Sequence, residues 1–301
     1  MTTSATIPQV VVQLPPKPRN RVKHLSPRLR ASATVSYLIL IGLALLYIYP
    51  FLISIAGAFK TDADATQNPL SLLPETWSFK SFETLFTTVP LLQWTANSTF
   101  VTVIVTLGRV FFDSLAGYAL SRLRFRGRTV IFAAVVAIMA VPNVVLLIPR
   151  FLVLKELGLY DSYGGMIIPL VVDAAGIFIM KQFFESIPVS VEEAARIDGA
   201  GIFRTFWSVV LPMARPALIT LFILSFQGSW NEFAHFVISR QSSDLNTLTT
   251  GVASLTSGER GSGNQYPLQL AAAVLMSIPV AVLFFVFQRR IMNTTSGGEK
   301  G

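Results

Sequence analysis

The sequence has 301 residues, of which 52% are hydrophobic and 13% charged, and this charged fraction is about half of the roughly 25% that a soluble domain carries. The composition therefore excludes an ordinary soluble domain and is typical of an integral membrane protein. The 24 Lys and Arg against 16 Asp and Glu leave a net charge of +8, and the chain has no cysteine and two widely separated histidines, which excludes disulfides, thiol nucleophiles and a cysteine or histidine metal cluster.

Six segments approach the length of a membrane span, for which about 20 mainly apolar residues must cross roughly 30 Å of hydrocarbon. The first, third and sixth contain no charge, whereas the other three contain charged residues. Prolines inside spans are tolerated because neighbouring helices satisfy the freed backbone groups. In chain order the predicted spans are residues 31–59, 99–120, 130–149, 164–180, 216–238 and 268–287.

Basic residues predict the orientation of these spans, because Lys and Arg are retained in cytoplasmic flanks. Six of them precede the first span, four lie between the second and third spans, and Arg289 and Arg290 follow the sixth. The link 60–94 is acidic instead and is predicted to lie outside. We therefore predict an all-α membrane protein with six transmembrane helices and both termini cytoplasmic. Its parts are a basic tail (1–30), a transmembrane domain (31–290) and a C-terminal tail (291–301).

Two other interpretations of the N-terminal region fit less well. A cleaved signal peptide would have a shorter basic region and a shorter apolar core than residues 1–59, and it would not be followed by five more spans. The basic tail contains Pro15, Pro16 and Pro18. We interpret it as a topology-setting segment rather than a nucleic-acid-binding arm.

The link between the fourth and fifth spans is polar and reads SVEEAARIDGAGIFRTFWSVVLPMARP over residues 190–216. Ser190 and Glu193 have the spacing of a capping box, which predicts a helix start, and Gly199 permits a turn. We predict a helix, a turn and a second short helix at the cytoplasmic surface. The second helix has a predicted apolar stripe of Phe203, Phe206 and Val210.

Over residues 190–212 this link resembles the EAA loop of permease subunits of binding-protein-dependent ABC importers. The pattern is EAA, a glycine after three further residues, and later an aliphatic residue followed by Leu-Pro. The matching residues are Glu193, Ala194, Ala195, Gly199, Val210, Leu211 and Pro212.

Further motifs extend the resemblance over most of the chain. They resemble the carbohydrate subfamily, in particular its maltose-type second permease subunits. These motifs are LAGYALSRLRFRGR at 115–128, LGLYDSYGGMIIP at 157–169, SWNEF at 229–233, AAAVLMSIPVAVLFFVFQRRI at 271–291 and the terminal SGGEKG.

The resemblance implies a coupling helix that docks into a groove of a cytoplasmic ATPase dimer. It assigns Glu193 as the anchor to a basic residue of the ATPase. Ala194 and Ala195 are expected to face the groove, Gly199 to form the turn, and Glu192 to be a solvated neighbour. The predicted coupling set is completed by Asp198, Ala200, Leu211 and Pro212.

The resemblance also implies a second permease subunit and an extracytoplasmic solute-binding protein as partners. The outer link 241–267 corresponds to a loop that in the maltose-type subunit reaches into the cleft of the binding protein, and residues 251–266 are expected to take this role. A flexible surface loop without contacts is the alternative, because the subfamily's acidic-aromatic pair is Gln265 and Tyr266 here. The terminal SGGEKG is expected to enter the ATPase interface or to be a disordered end. The predicted binding-protein contacts are Gly251, Ser254, Gly261, Gly263 and Tyr266.

Charges within the spans must be offset by partners, since a charge at the bilayer centre costs about 2.5 to 3.5 kcal/mol. Arg109 and Asp113 lie four residues apart, and we predict that they pair with each other rather than line a cavity. Asp173 has no expected partner in its own helix, which leaves sugar hydroxyls or a polar residue of the second permease subunit. An interfacial belt with a hydrated Glu232 is an alternative for residues 230–232. The candidate cavity-lining residues are Asp173, Trp230, Asn231 and Glu232.

We find no catalytic or metal-binding constellation in the sequence, and none of its lysines lies in a phosphate-binding-loop pattern. We therefore predict a transport component and not an enzyme: one permease half of a heteromeric ABC importer for a sugar or polyol in the bacterial inner membrane. ATP and Mg are expected on the partner ATPase, with no cofactor and no nucleic acid on this chain. An ion-driven secondary carrier would use Arg109, Asp113 and Asp173 as a relay, but it does not account for the EAA segment.

Overall fold

The computed structural model describes residues 27–256 and 265–296, and within these residues the regular structure is helical, without strands. Short 3₁₀ turns at Asn143–Leu146, Ile168–Leu170 and Ser243–Leu245 and a π-helical turn at Phe206–Val210 join some of the helices. The α-helices of these residues are α1 Pro27–Ala58, α2 Asp62–Gln67, α3 Lys80–Thr87, α4 Leu91–Arg122, α5 Arg128–Met139, α6 Leu147–Glu156, α7 Tyr163–Ile167, α8 Ala174–Ser186, α9 Val189–Ile197, α10 Ile202–Thr205, α11 Leu211–Met213, α12 Arg215–Trp230, α13 Ala234–Ser239, α14 Leu248–Thr256 and α15 Tyr266–Ser296.

Four helical segments in the described residues are long and apolar enough to cross a membrane. Two further pairs of helices qualify only if each pair counts as one bent span, which raises the number to as many as six. The single segments are Thr34–Ala58, Leu91–Arg122, Tyr163–Ser186 and Tyr266–Gln288, and the bent pairs are Arg128–Met139 with Asn143–Glu156 and Ile202–Met213 with Arg215–Trp230.

The third and fifth predicted spans are interrupted. The prediction of one continuous span over residues 130–149 is wrong, because the chain bends by 100° between α5 and the helix that follows it. Pro142 stands at this break and disfavours a helical conformation for the residue before it. The predicted fifth span, 216–238, is also wrong at its end, since α12 stops at Trp230 and α13 is a separate helix.

The chain divides into a unit that ends at Phe51 and a unit that begins at Leu52. The described part of the first unit belongs to α1, and its side chains from residue 34 to 51 are exposed. This exposure suits a helix whose surroundings are lipid rather than water.

In the second unit α4 packs lengthwise against α8 and α12. Gly117 of α4 lies so close to α8 that a Cβ there would come within 2.8 Å of the Met180 Cβ and 2.9 Å of the Lys181 backbone nitrogen. Gly176 of α8 has no room either, because a Cβ there would overlap the Asp113 carboxylate. The missing side chains allow the two backbones to approach closely, as small residues do in membrane helix pairs.

The N-terminal end of α4 belongs to a second core around Trp94, which is 1% exposed. Trp230, Leu248 and Ala271 pack into this cluster. Nearby, the buried Asn97 amide donates to the carbonyls of Asp244 and Asn246 at 2.7 and 2.8 Å. The link between α13 and α14 is therefore held against α4.

Asp161 joins the same link to the segment before α7. Its carboxylate accepts hydrogen bonds from the backbone N–H groups of Gln241 and Ser242, each at 2.8 Å, and from the Ser242 hydroxyl at 2.5 Å. These hydrogen bonds hold the pKa of the Asp161 carboxyl below its usual value, the bond from the Ser242 hydroxyl having the largest effect.

The contact between α4 and α8 predicts the effect of a single methyl group. We expect Gly117→Ala to lower the free energy of unfolding by about 1 to 3 kcal/mol, because overpacking forces one backbone away from the other. Gly164→Ala is the matched control, since a Cβ at that helical glycine meets its nearest atom at an ordinary 3.4 Å. Thermal unfolding in detergent should show a lower midpoint for Gly117→Ala only, and equal midpoints would contradict the close approach.

Candidate functional site

The polar segment begins with α9, and its start differs from the prediction. The helix starts at Val189 after Pro188, and no side chain caps it. The prediction that Ser190 and Glu193 form a capping box is therefore wrong. Pro188 separates α9 from the preceding α8, because a proline disfavours a helical conformation for the residue before it.

Gly199 ends α9 with a positive φ of 78°, as predicted for a turn residue. Its N–H donates to the Arg196 carbonyl at 3.0 Å, and the N–H of Ala200 donates to the Ala195 carbonyl at 2.9 Å. These hydrogen bonds satisfy carbonyls at the end of the helix, and glycine is the residue that adopts this left-handed conformation without strain.

Two pairs of helical neighbours lie on the exposed side of α9 and its C-cap: Glu193 with Ile197, and Ala194 with the C-cap residue Asp198. Arg196 of the same helix is also exposed. Ile197 is 87% exposed, although it is an aliphatic residue on a short polar helix. Gly199 is exposed beside this face and Ala200 is half-buried. Ile197 was not among the predicted coupling residues, and its four-residue spacing from Glu193 is the signal that could have placed it on this face.

Two expectations for α9 are wrong. Ala195 is only 8% exposed and packs inward instead of facing outward with Ala194. Glu192 is not a solvated neighbour, because it is 2% exposed and its Oε1 lies 2.8 Å from Nε of Arg122 at the end of α4. Its Oε2 accepts from the Tyr118 hydroxyl at 3.3 Å. Nothing in the local pattern distinguishes Glu192 from Glu193, so only the position of α4 separates their roles.

The second half of the segment buries part of its predicted stripe. Phe206 and Val210 are buried, but Phe203 is 76% exposed, so its assignment to the stripe is wrong. Leu211 is half-buried and Pro212 exposed. Pro212 and Pro216 each stand in the first turn of a helix, where a missing N–H is tolerated.

A cavity of about 610 Å³ lies where several helices are interrupted. Its wall includes the break between α5 and α6, the turn before α8 and the residues after α12. The wall combines apolar and polar surface, and two cations and two anions face the cavity. Its charged lining residues are Arg109, Arg150, Asp173 and Glu232.

Arg109 and Asp113 do not form the predicted ion pair in the part of the chain that the structure describes. Arg109 donates from Nε to the Leu170 carbonyl at 2.6 Å. Asp113 is fully buried, and its Oδ1 accepts from the Asp173 N–H at 3.0 Å. Both side chains bind backbone groups that the break before α8 leaves without a helical partner.

Asp173 has a partner in its own helix, contrary to expectation. It is the N-cap of α8, and its Oδ2 accepts from the Gly176 N–H at 3.2 Å. A carboxylate at this position satisfies a free N–H and interacts favourably with the helix dipole. The fourth predicted span lies within the single segment Tyr163–Ser186, but its helical structure is interrupted just before α8. Asp173 stands at this interruption and faces the cavity.

The three residues at the end of α12 have different surroundings. Trp230 does not line the cavity as expected, because it is 3% exposed, stacks on Phe226 and donates from Nε1 to the Met276 carbonyl at 3.0 Å. Asn231 is exposed outside the cavity wall. Glu232 lines the cavity, and its Oε1 accepts from the His235 N–H at 2.9 Å.

The outer link contains a helix where a loop was expected. Gly251 lies within α14 against the Trp94 ring, with no room for a Cβ, so its assignment as an exposed contact is wrong. Ser254 is half-buried and donates to the Gly251 carbonyl at 2.7 Å, and Tyr266 is 47% exposed at the start of α15. Gly261 and Gly263, residues 1–26 of the basic tail and residues 297–301 of the terminal motif lie outside the described residues.

The cap at Asp173 predicts a stability difference between two variants. We expect Asp173→Ala to lower the free energy of unfolding by about 1 kcal/mol, because it leaves the Gly176 N–H unsatisfied. Asp173→Asn keeps an accepting oxygen and should unfold close to the wild-type temperature in detergent. Equal midpoints for the Ala variant and the wild type would show that the cap contributes nothing.

Comparison with known proteins shows the family to which this chain belongs. A family model described as "Binding-protein-dependent transport system inner membrane component" matches residues 110–295. The arabinooligosaccharides transport system permease protein AraQ of Halalkalibacterium halodurans is 32% identical over 90% of this chain and 99% of its own length. The diacetylchitobiose uptake system permease protein NgcG of Streptomyces coelicolor is 33% identical over 89% of each chain.

A solved structure extends the likeness to the fold. A chain from a bacterial ABC transporter involved in the import of the acidic polysaccharide alginate aligns with a TM-score of 0.78 and 28% identity, over 88% of this chain and 98% of that one. The resemblance to ABC importer permeases is thus confirmed. The chain belongs to the family of inner membrane components of binding-protein-dependent transport systems.

Proposed function

We propose that this chain is one of two different permease subunits of an ABC importer that moves a sugar or related polyol into the bacterial cytoplasm. The exposed face of α9 is the observation that carries the proposal. Two relatives named for oligosaccharide transport or uptake support the substrate class. In this proposal the chain crosses the inner membrane six times, each bent pair counting as one span, with both termini in the cytoplasm.

The face of Glu193, Ala194, Ile197 and Asp198 is suited to a partner of defined chemistry. Its two carboxylates favour a basic groove, and Ala194 lets a backbone approach closely. Burying the exposed Ile197 side chain would contribute about 1.5 to 3 kcal/mol. We assign this surface as the binding site for the cytoplasmic ATPase subunit. Glu193 is the anchor, and Gly199 forms a turn that has no side chain to collide with the groove of the ATPase.

The cavity supplies a candidate path for the solute. A polyol offers hydroxyl groups that both donate and accept hydrogen bonds, so it can bind the guanidinium groups of Arg109 and Arg150 and the carboxylates of Asp173 and Glu232. Ionisable residues within a membrane protein mark substrate paths, and sites between broken helices recur in transporters. Residues in the second permease subunit would close the open side of this cavity.

The movement of the ATPase subunits would be transferred to this chain through α9. When ATP closes the ATPase dimer, the docked helix would move with it and carry α8 and α12, so that the cavity opens to the outside and accepts solute from the binding protein. Tyr266 and the link 257–264 are proposed to contact that protein. ATP and Mg stay on the ATPase, and this chain carries the solute but performs no hydrolysis.

An ion-driven carrier receives no support from the relatives, which are permease components of transport systems. The charges that suggested an ion relay also have local roles: Arg109 and Asp113 bind backbone groups at the break before α8, and Asp173 caps a helix.

Reconstituted vesicles test the proposed function directly. Uptake of a radiolabelled oligosaccharide should require ATP, the ATPase and the binding protein together, with both permease subunits in the membrane. Omission of the ATPase is the control. Uptake by this chain alone, driven by a sodium or proton gradient, would overturn the proposal.

A matched pair of glycines tests the docking turn. Gly199→Ala places a side chain on a residue with φ of 78°, which costs about 1 to 2 kcal/mol. The free chain relieves this strain by leaving the turn conformation that docking requires, so ATPase binding should weaken about tenfold. Gly201→Ala is the control, because its φ is −72° and a Cβ there meets nothing within 4 Å. The binding of purified ATPase to permease in nanodiscs measures both. Equal weakening, or none in either variant, would contradict the assignment of this turn.

A further inference from the structure

Arg122, the last residue of α4, contacts two other helices, α8 and α9, at once. Its Nε lies 2.8 Å from Oε1 of Glu192 in α9, and its Nη2 donates to the carbonyls of Phe184 and Ile187 at the end of α8. The side chains of Arg122 and Glu192 are 9% and 2% exposed. A planar guanidinium can bind groups in several directions at once, which a lysine cannot do in the same way.

The partners of Glu192 are equally specific. Tyr118, one turn before Arg122, donates from its hydroxyl to Oε2. The Tyr118 ring packs against the rings of Phe184 and Phe206 at centroid distances of 5.8 and 4.9 Å. Arg196 of α9 lies at a longer 4.0 Å from Oε2 and is 59% exposed, so Arg122 is the close, buried cation of this carboxylate.

Helix α9 needs such an attachment, because it has nine residues and helices shorter than about 12 residues are marginal on their own. Only Glu192 and Ala195 of this helix are buried. The methyl group of an alanine makes apolar contacts that depend little on orientation. A buried ion pair is stabilising only when its geometry is good. The contact of Glu192 with Arg122 therefore attaches α9 to the end of α4, and the hydrogen bond from the Tyr118 hydroxyl supports the same attachment.

Helix α4 continues without a break from Arg122 to Arg109, which lines the cavity. The two residues are 13 positions apart, about 20 Å along the helix axis. A displacement of α9 that is transferred to Arg122 would thus move α4 and, with it, Arg109 at the cavity wall. This route exists in addition to the direct chain connection from α9 to α8.

We propose that Arg122 is a positioning residue that transmits the movement of α9 to α4, so that ATP-driven displacement of the docking surface shifts Arg109 at the cavity. This inference rests on the proposed function, since it assumes that an ATPase moves α9. It adds that α4 and α9 move as one body through the transport cycle.

Three substitutions separate transmission from assembly in the reconstituted importer. Glu192→Gln removes the buried charge, and Arg122→Lys keeps a cation but loses the fork that reaches α8 and α9 together. Glu185→Gln is the matched control, because Glu185 pairs with Lys181 at 2.7 Å but is 38% exposed. The readouts are copurification of the ATPase and the number of sugar molecules transported per ATP hydrolysed.

We expect Glu192→Gln and Arg122→Lys to retain the ATPase while sugar transported per ATP falls about tenfold, with Glu185→Gln unchanged. A ratio equal to wild type in both variants would overturn transmission through Arg122. The proposed function would still stand in that case, because it fails only if wild-type uptake needs no ATPase.

If the variants do not assemble with the ATPase, a distance measurement tests whether α4 and α9 move as one body. The chain has no cysteine, so spin labels can be placed on Phe112→Cys in α4 and Ser190→Cys in α9, both exposed, in an otherwise unchanged protein. Pulsed EPR should give the same distance in nucleotide-free and ATP-bound complexes. A change larger than one helical turn of about 5.4 Å would show that α4 and α9 move apart, and would overturn the proposal.

Discussion

Charged side chains in a mostly apolar chain need neighbouring groups of opposite polarity. The charges on α4 find such groups at the ends of other helices, and these contacts hold the second unit of the structure together. Three charges on that helix bind backbone groups at helix ends: Arg109 at the Leu170 carbonyl, Asp113 at the Asp173 N–H, and Arg122 at the carbonyls that end α8. The acidic residue lies at the N-terminus of α8 and a basic residue at its C-terminus. This is the arrangement that complements the helix dipole.

This arrangement shows how the helix packed on α4 can be interrupted. A break inside a membrane helix leaves N–H and C=O groups without partners, and these cost several kcal/mol each if lipid surrounds them. Here α4 supplies the partners, and Asp173 adds its own cap. The glycines at 117 and 176 bring the two helices close enough for these contacts. Close packing and polar satisfaction therefore depend on each other at the same interface.

The same interface connects the two regions that the proposed function requires. The cavity lies beside the break before α8, and the proposed docking face lies on α9, directly after the end of α8. Arg109 and Arg122 mark these two places on one continuous helix. In the proposed importer the solute path and the ATPase contact would move together, and the 32-residue helix α4, bound at both places, would link them mechanically.

The sequence by itself determined the membrane class, the approximate position of the apolar segments and the location of the EAA segment, because composition, hydropathy and motif spacing are local properties. It also predicted the turn at Gly199, since a glycine that follows a helical pattern favours the left-handed conformation that ends a helix. Only the tertiary structure decided which group each charge meets. Helical periodicity places Arg109 and Asp113 on one face, but it cannot show that free backbone groups of another helix lie opposite and bind both. For the same reason Glu192 and Glu193 are equivalent in the sequence, whereas the end of α4 buries one and leaves the other exposed.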